Sequence, residues 1–278
     1  MTHRYLIVAS ETPDEREARR QSVGAASDET YADTLRELDP DCSCRSVSCV
    51  DGTPLPSPAE LAGFDAAFFS GSPIEMASSS PETRSAKAAM LAVLDAGLPV
   101  FGSCAGLQIA VAALGGRVKK REPRMAAGFT RGIVATDAGR DHPMLRERPI
   151  AWDAPAMHFD ETAELPQGAV VLAEARTTFV QAVEMRRGEG LFWGVQYHPE
   201  LTLQEIAASI RRQAEEIVET GLVENEKDAA THADRIEALG REPDRKDLLW
   251  MLGLDREVTE PERRMRELSN FLGFVAGR

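Results

Sequence analysis

No run of this 278-residue chain approaches the ~18 consecutive apolar residues that a membrane-spanning helix requires, so no membrane partner is expected. Basic residues are in the minority. The 32 Lys and Arg stand against 45 Asp and Glu, for a net charge of −13. That balance removes the basic face a general nucleic-acid binder needs. The apolar stretch at residues 5–9 is too short for a secretory signal and reads as a first strand. Phosphate-binding loops are missing too, with neither G-x-x-x-x-G-K-[ST] nor G-x-G-x-x-G present. Cysteine is scarce, at four residues. Cys42, Cys44 and Cys49 cluster, but without a C-x-x-C pair or a nearby His, which weighs against zinc. A cytoplasmic protein without disulfides is the expectation.

What is present is an alternation of strand and helix. Residues 5–9, 44–50, 64–70 and 99–101 read as short buried strands. Residues 28–38 and 81–95 read as helices, capped by Ser27 and Ser80 and ended by Asp39-Pro40 and Gly97. Residues 11–20 read as a polar loop. This pattern predicts an α/β fold: a doubly wound, mostly parallel central sheet flanked by helices. Five further strands, at 129–136, 150–157, 169–173, 180–185 and 190–197, are joined by short turns and continue the sheet in mixed or antiparallel fashion. A helix over 202–219 closes a domain of residues 1–220.

Residues 221–278 form a C-terminal helical extension. Residues 223–242 are polar enough for a solvated helix. Residues 244–252 and 261–272 are amphipathic, with Asp244 and Thr259 as caps and Gly253 and Gly273 as ends. Their Leu, Met, Trp and Phe side chains need a surface to pack on. The expectation is that they fold back near residues 202–219, and that a chain cut after Gly221 loses stability or solubility but keeps Cys104 reactive.

One cysteine stands apart. Cys104 lies in Gly102-Ser103-Cys104-Ala105-Gly106, after a short apolar run and before a small-residue helix stopped by Gly115-Gly116. A lone cysteine is ordinarily a buried thiol. Here it falls at the carboxyl end of a strand, where doubly wound folds place their chemistry. Its flanking glycines fit a sharp turn of the nucleophile-elbow kind. The helix that follows directs its positive end at the sulfur, and the Ala105 amide becomes an oxyanion donor. A thiolate nucleophile needs a base and an orienting acid. Of the five His, His198 sits at the end of a strong apolar strand, two residues before Glu200. That spacing puts both side chains on one side of an extended chain.

Together, Gly102-Ser103-Cys104-Ala105-Gly106-Leu107-Gln108 and Gln196-Tyr197-His198-Pro199-Glu200 resemble the two motifs of class I glutamine amidotransferases, over about residues 4–218. The nearest kin by look are the glutaminase part of GMP synthases and their stand-alone relatives. The resemblance implies Cys104, His198 and Glu200 as catalytic residues, and an oxyanion hole from the Ser72 and Ala105 amides. It implies substrate contacts at Gly71, Gln108, Met157, His158 and Phe159. Ser70-Gly71-Ser72-Pro73 departs from the family's glycine-glycine-proline loop at Ser72, whose Cβ is costly if the backbone there needs a positive φ. Met157-His158-Phe159-Asp160 departs from its Ser-His-Gly-Asp segment at Met157 and Phe159. Ala126-Ala127-Gly128 lacks the family's glutamate.

The resemblance also implies the chemistry. Cys104 attacks a glutamine side-chain amide, a γ-glutamyl thioester forms, and ammonia leaves, with no metal and no organic cofactor. The ATP-splitting Ser-Gly-Gly-x-Asp-Ser loop of a full GMP synthase is absent, so the ammonia would pass to a separate ATP-dependent synthetase subunit. The alternatives are a stand-alone γ-glutamyl amide hydrolase in catabolism, and a non-catalytic binding or regulatory protein that retains the triad. The substrate is L-glutamine or a γ-glutamyl amide.

Overall fold

The computed structural model describes residues 2–122 and 125–277. Its strands, in chain order, are β1 (Arg4–Ala9), β2 (Ser43–Ser48), β3 (Ala66–Phe69), β4 (Pro99–Ser103), β5 (Arg117–Lys120) and β6 (Ala126–Ala135). They continue with β7 (Ala151–His158), β8 (Asp160–Glu164), β9 (Val170–Glu174), β10 (Ala182–Arg187) and β11 (Gly190–Val195). Nine of them form one sheet in the order β2-β1-β3-β4-β11-β10-β9-β6-β7, and β5 pairs with β8 alone. The pairs from β2 through β11 are parallel, and those from β11 to β7 are antiparallel. The expected doubly wound sheet with an antiparallel continuation is therefore the observed one.

The parallel half is apolar because both its faces are covered. Successive β1 residues supply opposite faces, as strand periodicity requires. Tyr5 and Ile7 join Tyr31, Phe68, Phe101 and Trp193 on one side. Leu6 and Val8 join Phe69, Met90, Leu107 and Phe192 on the other. The strand Pro99–Ser103 leads directly into the helix Ala105–Ala113, and the helix Pro81–Asp95 packs beside it. All parallel strands end on one edge of the sheet, which gathers Ser10, Ser70, Cys104 and Gln196 there.

Several expectations fail for physical reasons. Residues 11–20 are not a loop, because Pro13–Val23 is a helix. It has no apolar stripe, yet Thr12 and Glu15 form a capping box, Pro13 is its first residue, and Gly24 ends it at φ 99°. Ala26, not Ser27, is the N-cap of Ser27–Leu38, and the Ser27 hydroxyl instead donates to Glu11 at 2.7 Å. The helix expected over 202–219 breaks at Gln213 into Leu203–Arg212 and Ala214–Glu219.

The tail differs as well. Glu226–Arg241 is not solvated all round: Ala229, Ala233, Ile236 and Leu239 are buried, and it packs on Leu203–Arg212. Lys246–Leu252 ends at Gly253 as expected, but Arg245 rather than Asp244 holds its N-cap position. Residues 261–272 divide into Pro261–Arg264 and Arg266–Ala276. Glu260 rather than Thr259 precedes the first, and Gly273 lies inside the second. The last helix does not dock by Leu203–Arg212. It drives Leu268 and Phe271 into the core under the parallel strands, where the Phe271 ring meets Phe68, Phe101 and Trp193 at centroid distances of 5.5–5.6 Å.

Candidate active site

Cys104 is held in a conformation an L-residue seldom adopts, φ 51° and ψ −104°, at the junction of β4 and the helix Ala105–Ala113. Its N–H donates to the Val195 carbonyl at 2.8 Å, which ties the turn to β11. The neighbouring glycines are required by packing. A Cβ on Gly102 would lie 2.8 Å from the Gly106 carbonyl carbon and 2.8 Å from the Phe192 ring. One on Gly106 would lie 2.4 Å from the Phe69 carbonyl oxygen. Ala105 opens the helix, so its N–H is among those with no intrahelical acceptor.

His198 lies just past β11, and its N–H donates to the Pro155 carbonyl at 2.8 Å. Nδ1 is 2.7 Å from Glu200 Oε1, and Cys104 is close enough to interact with the ring. All three residues are buried. Burial opposes a charge on the imidazole, but the negative charges of Cys104 and Glu200 outweigh it and push His198 up to about 10. Burial raises Cys42, and pushes Cys44 and Cys49 up to about 12. Cys42 and Cys44 have their sulfurs 3.7 Å apart at the far end of β2.

The loop after β3 closes over His198. A Cβ on Gly71 would meet the His198 Cε1 at 2.4 Å, so only glycine lets the loop approach this ring. Ser72 does not have a positive φ, so its Cβ carries no backbone penalty. Its hydroxyl is 2.6 Å from that of Ser10, at the end of β1.

The residues 157–160 form the opposite wall. The Met157 carbonyl oxygen lies 3.6 Å from Cys104 Sγ. His158 is buried, its Nδ1 2.9 Å from the Asp160 carbonyl, and burial pushes it down to about 3. The imidazole is therefore neutral, with its proton on Nδ1 where that carbonyl can accept it. Phe159 projects outward, and its carbonyl accepts from the Arg121 N–H at 2.7 Å. Gln108 is buried. Its Nε2 donates to the Asp160 carbonyl at 2.9 Å and lies 3.4 Å from Gln196 Oε1. The Asp160 carboxylate in turn accepts from the Ala77 N–H at 2.8 Å, so one residue ties this wall to the loop after Gly71.

Every residue that the resemblance assigns to the site thus falls at one end of the sheet. Gln196 joins them with a role that the motif alone does not assign. Its Nε2 lies 3.8 Å from Cys104 Sγ, and it links the thiol to Gln108. A signal for it exists in the sequence: a fully buried amide between apolar Val195 and Tyr197 needs polar partners.

The family model "Glutamine amidotransferase class-I" matches residues 29–216. Over 275 residues, 97% of this chain and 92% of the relative, the sequence is 32% identical to the gamma-glutamyl-L-1-hydroxyisopropylamide hydrolase of a Pseudomonas species. It is 36% identical over 111 residues to the glutamine-hydrolyzing GMP synthase subunit of Methanoculleus marisnigri, a match covering 40% of this chain and about half (56%) of that protein. Among solved structures, a glutamine amidotransferase of Thermotoga maritima superposes at a TM-score of 0.66 with 16% identity, over 100% of both chains. One of Methylobacillus flagellatus does so at 0.60 with 16% identity, over 99% of this chain and 96% of that one. These likenesses show the fold. With the family model spanning most of the sheet and a relative matched nearly end to end, the chain belongs to the class I glutamine amidotransferases.

Proposed function

We propose that the chain hydrolyses γ-glutamyl amides through a thioester on Cys104, without a partner protein. The geometry of Cys104, His198 and Glu200 supports the chemistry. The observation that carries the substrate class is the match to a γ-glutamyl amide hydrolase through the C-terminal helices. The match to the GMP synthase subunit covers only 40% of the chain.

The Cys104 sulfur attacks the γ-carbonyl carbon, and a C–S bond forms. The oxyanion falls to the amides of Ala105 and Ser72. Imidazolium His198, stabilised by Glu200, donates its proton to the departing nitrogen as the C–N bond breaks. Water then adds to the thioester while His198 takes its proton. The C–S bond breaks, glutamate leaves, and the Cys104 thiolate and the His198 imidazolium return to their starting state. Gln108 and the backbone of Met157, His158 and Phe159 hold the amino-acid end of the substrate.

A second reading has one observation in its favour: the match to the GMP synthase subunit supports glutamine as substrate and a separate synthetase as ammonia acceptor. One experiment separates the two. Pure protein is assayed for release of amine from several γ-glutamyl alkylamides and of ammonia from glutamine, with and without ATP and cell extract. Amine release by the protein alone supports hydrolysis. Ammonia release that needs extract and ATP overturns it in favour of the second reading. No release in any arm overturns both.

A further inference from the structure

The C-terminal helices reach the site through a buried polar clamp that the chemistry above does not use. Arg148, just before β7, has its side chain 1% exposed. Its Nε and Nη2 each donate at 2.7 Å to the carboxylate of Glu267, which is fully buried in the last helix. Its Nη1 donates to Glu257 Oε2 at 2.8 Å, and Nη2 also lies 3.1 Å from the Arg264 carbonyl. Arg263 binds the other oxygen of Glu257 at 2.8 Å and also donates to Glu260 Oε2 at 2.6 Å. Into this cluster comes a third element. The Tyr197 hydroxyl donates to Glu267 Oε1 at 2.7 Å.

Tyr197 immediately precedes His198. Residues 196–200 lie beyond the paired part of β11, so no ladder fixes them. Their position depends on single contacts. The Gln196 N–H donates to the Gln181 carbonyl at 2.9 Å, and the His198 N–H donates to that of Pro155. The Tyr197 hydroxyl adds a side-chain anchor from the C-terminal helix. The same clamp holds the start of β7, the strand that carries Pro155, Met157 and His158. A charged pair of this burial is weak evidence for stability alone, because apolar residues could fill the space. Its value lies in a fixed geometry.

We propose that Glu267, locked by Arg148, is a positioning residue that sets the His198–Glu200 segment through Tyr197, which makes the C-terminal helix part of the catalytic apparatus. This rests on the reading of Cys104 and His198 as the reacting pair.

Tyr197→Phe in the full chain is the test, because it removes only the hydroxyl and leaves Glu267 bound to Arg148. The expected result is a three- to tenfold fall in kcat for a γ-glutamyl alkylamide with KM unchanged. A matching fall is expected in the rate of Cys104 alkylation by iodoacetamide. Glu267→Gln should do the same more strongly. Tyr197→Phe added to Glu267→Gln should lower kcat no further than Glu267→Gln alone, since both act through the Tyr197–Glu267 contact. Wild-type kcat and alkylation rate in Tyr197→Phe, with only a lowered Tm, would overturn the proposal and leave the clamp structural. A Cys104→Ala chain that still turns over would instead sink the functional reading beneath it.

Discussion

Two buried histidines stand at the same end of the sheet, and their surroundings drive them apart. His158, at the end of edge strand β7, is pushed down to about 3, and His198, past central strand β11, up to about 10. Burial acts on both in the same direction, against the charged ring. The neighbours make the difference. His158 is hydrogen-bonded to a neutral carbonyl, and the positive charges of Arg121 and His198 add to the push downward. His198 has a carboxylate and a thiol sulfur. Adjacent groups with separated proton affinities are the arrangement acid–base chemistry needs. Under the proposed function, proton transfer falls to His198 and a neutral, structural part to His158.

Replacing each histidine gives the sharpest division. His198→Ala should lower kcat/KM by on the order of 10³-fold or more, as removal of a base does in other triads. His158→Ala should cost at least about tenfold less in kcat, with the larger share in KM, because it disturbs the wall that holds the substrate. Steady-state rates on one γ-glutamyl amide decide it. Equal losses in kcat would break the comparison.

Gly71→Ala probes the His198 side alone. The new methyl would sit 2.4 Å from Cε1, and the ring cannot yield without losing Glu200. A misplacement of about 1 Å near reacting groups costs on the order of 10²-fold. Gly188→Ala is the control. It has φ 55° and open space around its Cβ, so it should lower stability by about 1 kcal/mol with no effect on rate. Circular dichroism melts alongside kcat separate the two outcomes.

How legible these features were follows from what fixed them. Cys104 could be read from the sequence because its turn is dictated by backbone crowding, and crowding leaves glycines at 102 and 106. Parallel strands could be read because burial on both faces leaves unbroken apolar runs such as Phe68-Phe69. His198 and Glu200 followed from a two-residue spacing. The helix Pro13–Val23 escaped because only Arg19 is buried in it, so it carries no apolar period. β5 and β8 escaped because four or five mostly polar residues alternate too briefly. The clamp of Arg148 and Glu267 joins residues 119 apart, and no local pattern records such a pair.

The thiols extend the comparison. Cys44 and Cys49 are pushed up to about 12 by burial, which the charge of Arg36 near Cys44 does not offset, whereas Cys104 has the imidazole beside it. A glutamine-like chloroketone at pH 7.5 should therefore modify Cys104 at least about tenfold faster than the other three, because the thiolate is the nucleophile. Peptide mapping at partial modification reads the ratio. Preferential labelling of Cys42, Cys44 or Cys49 would show that the neighbours of Cys104 do not activate it.

The mildest effect lies in acid stability, and its sign separates the histidines once more. An unfolded histidine takes up a proton near pH 6.5. His158 does so in the folded state only near pH 3. Between those values the unfolded chain holds a proton the folded chain lacks, so His158 lowers stability as pH falls, by at most about 1.4 kcal/mol per pH unit. His198, pushed up to about 10, holds its proton in both states over this range and adds no slope. Its own contribution is complete below pH 6.5 and is lost as pH rises through about 10. His158→Asn cannot charge, yet its amide can still donate to the Asp160 carbonyl. Urea unfolding from pH 7 to pH 4 should thus give a shallower decline for His158→Asn than for the unmodified chain. His198→Asn should leave the steepness of that limb unchanged. Parallel curves for His158→Asn and the unmodified chain would mean that His158 is charged in the fold, and the division of labour between the two rings would fail.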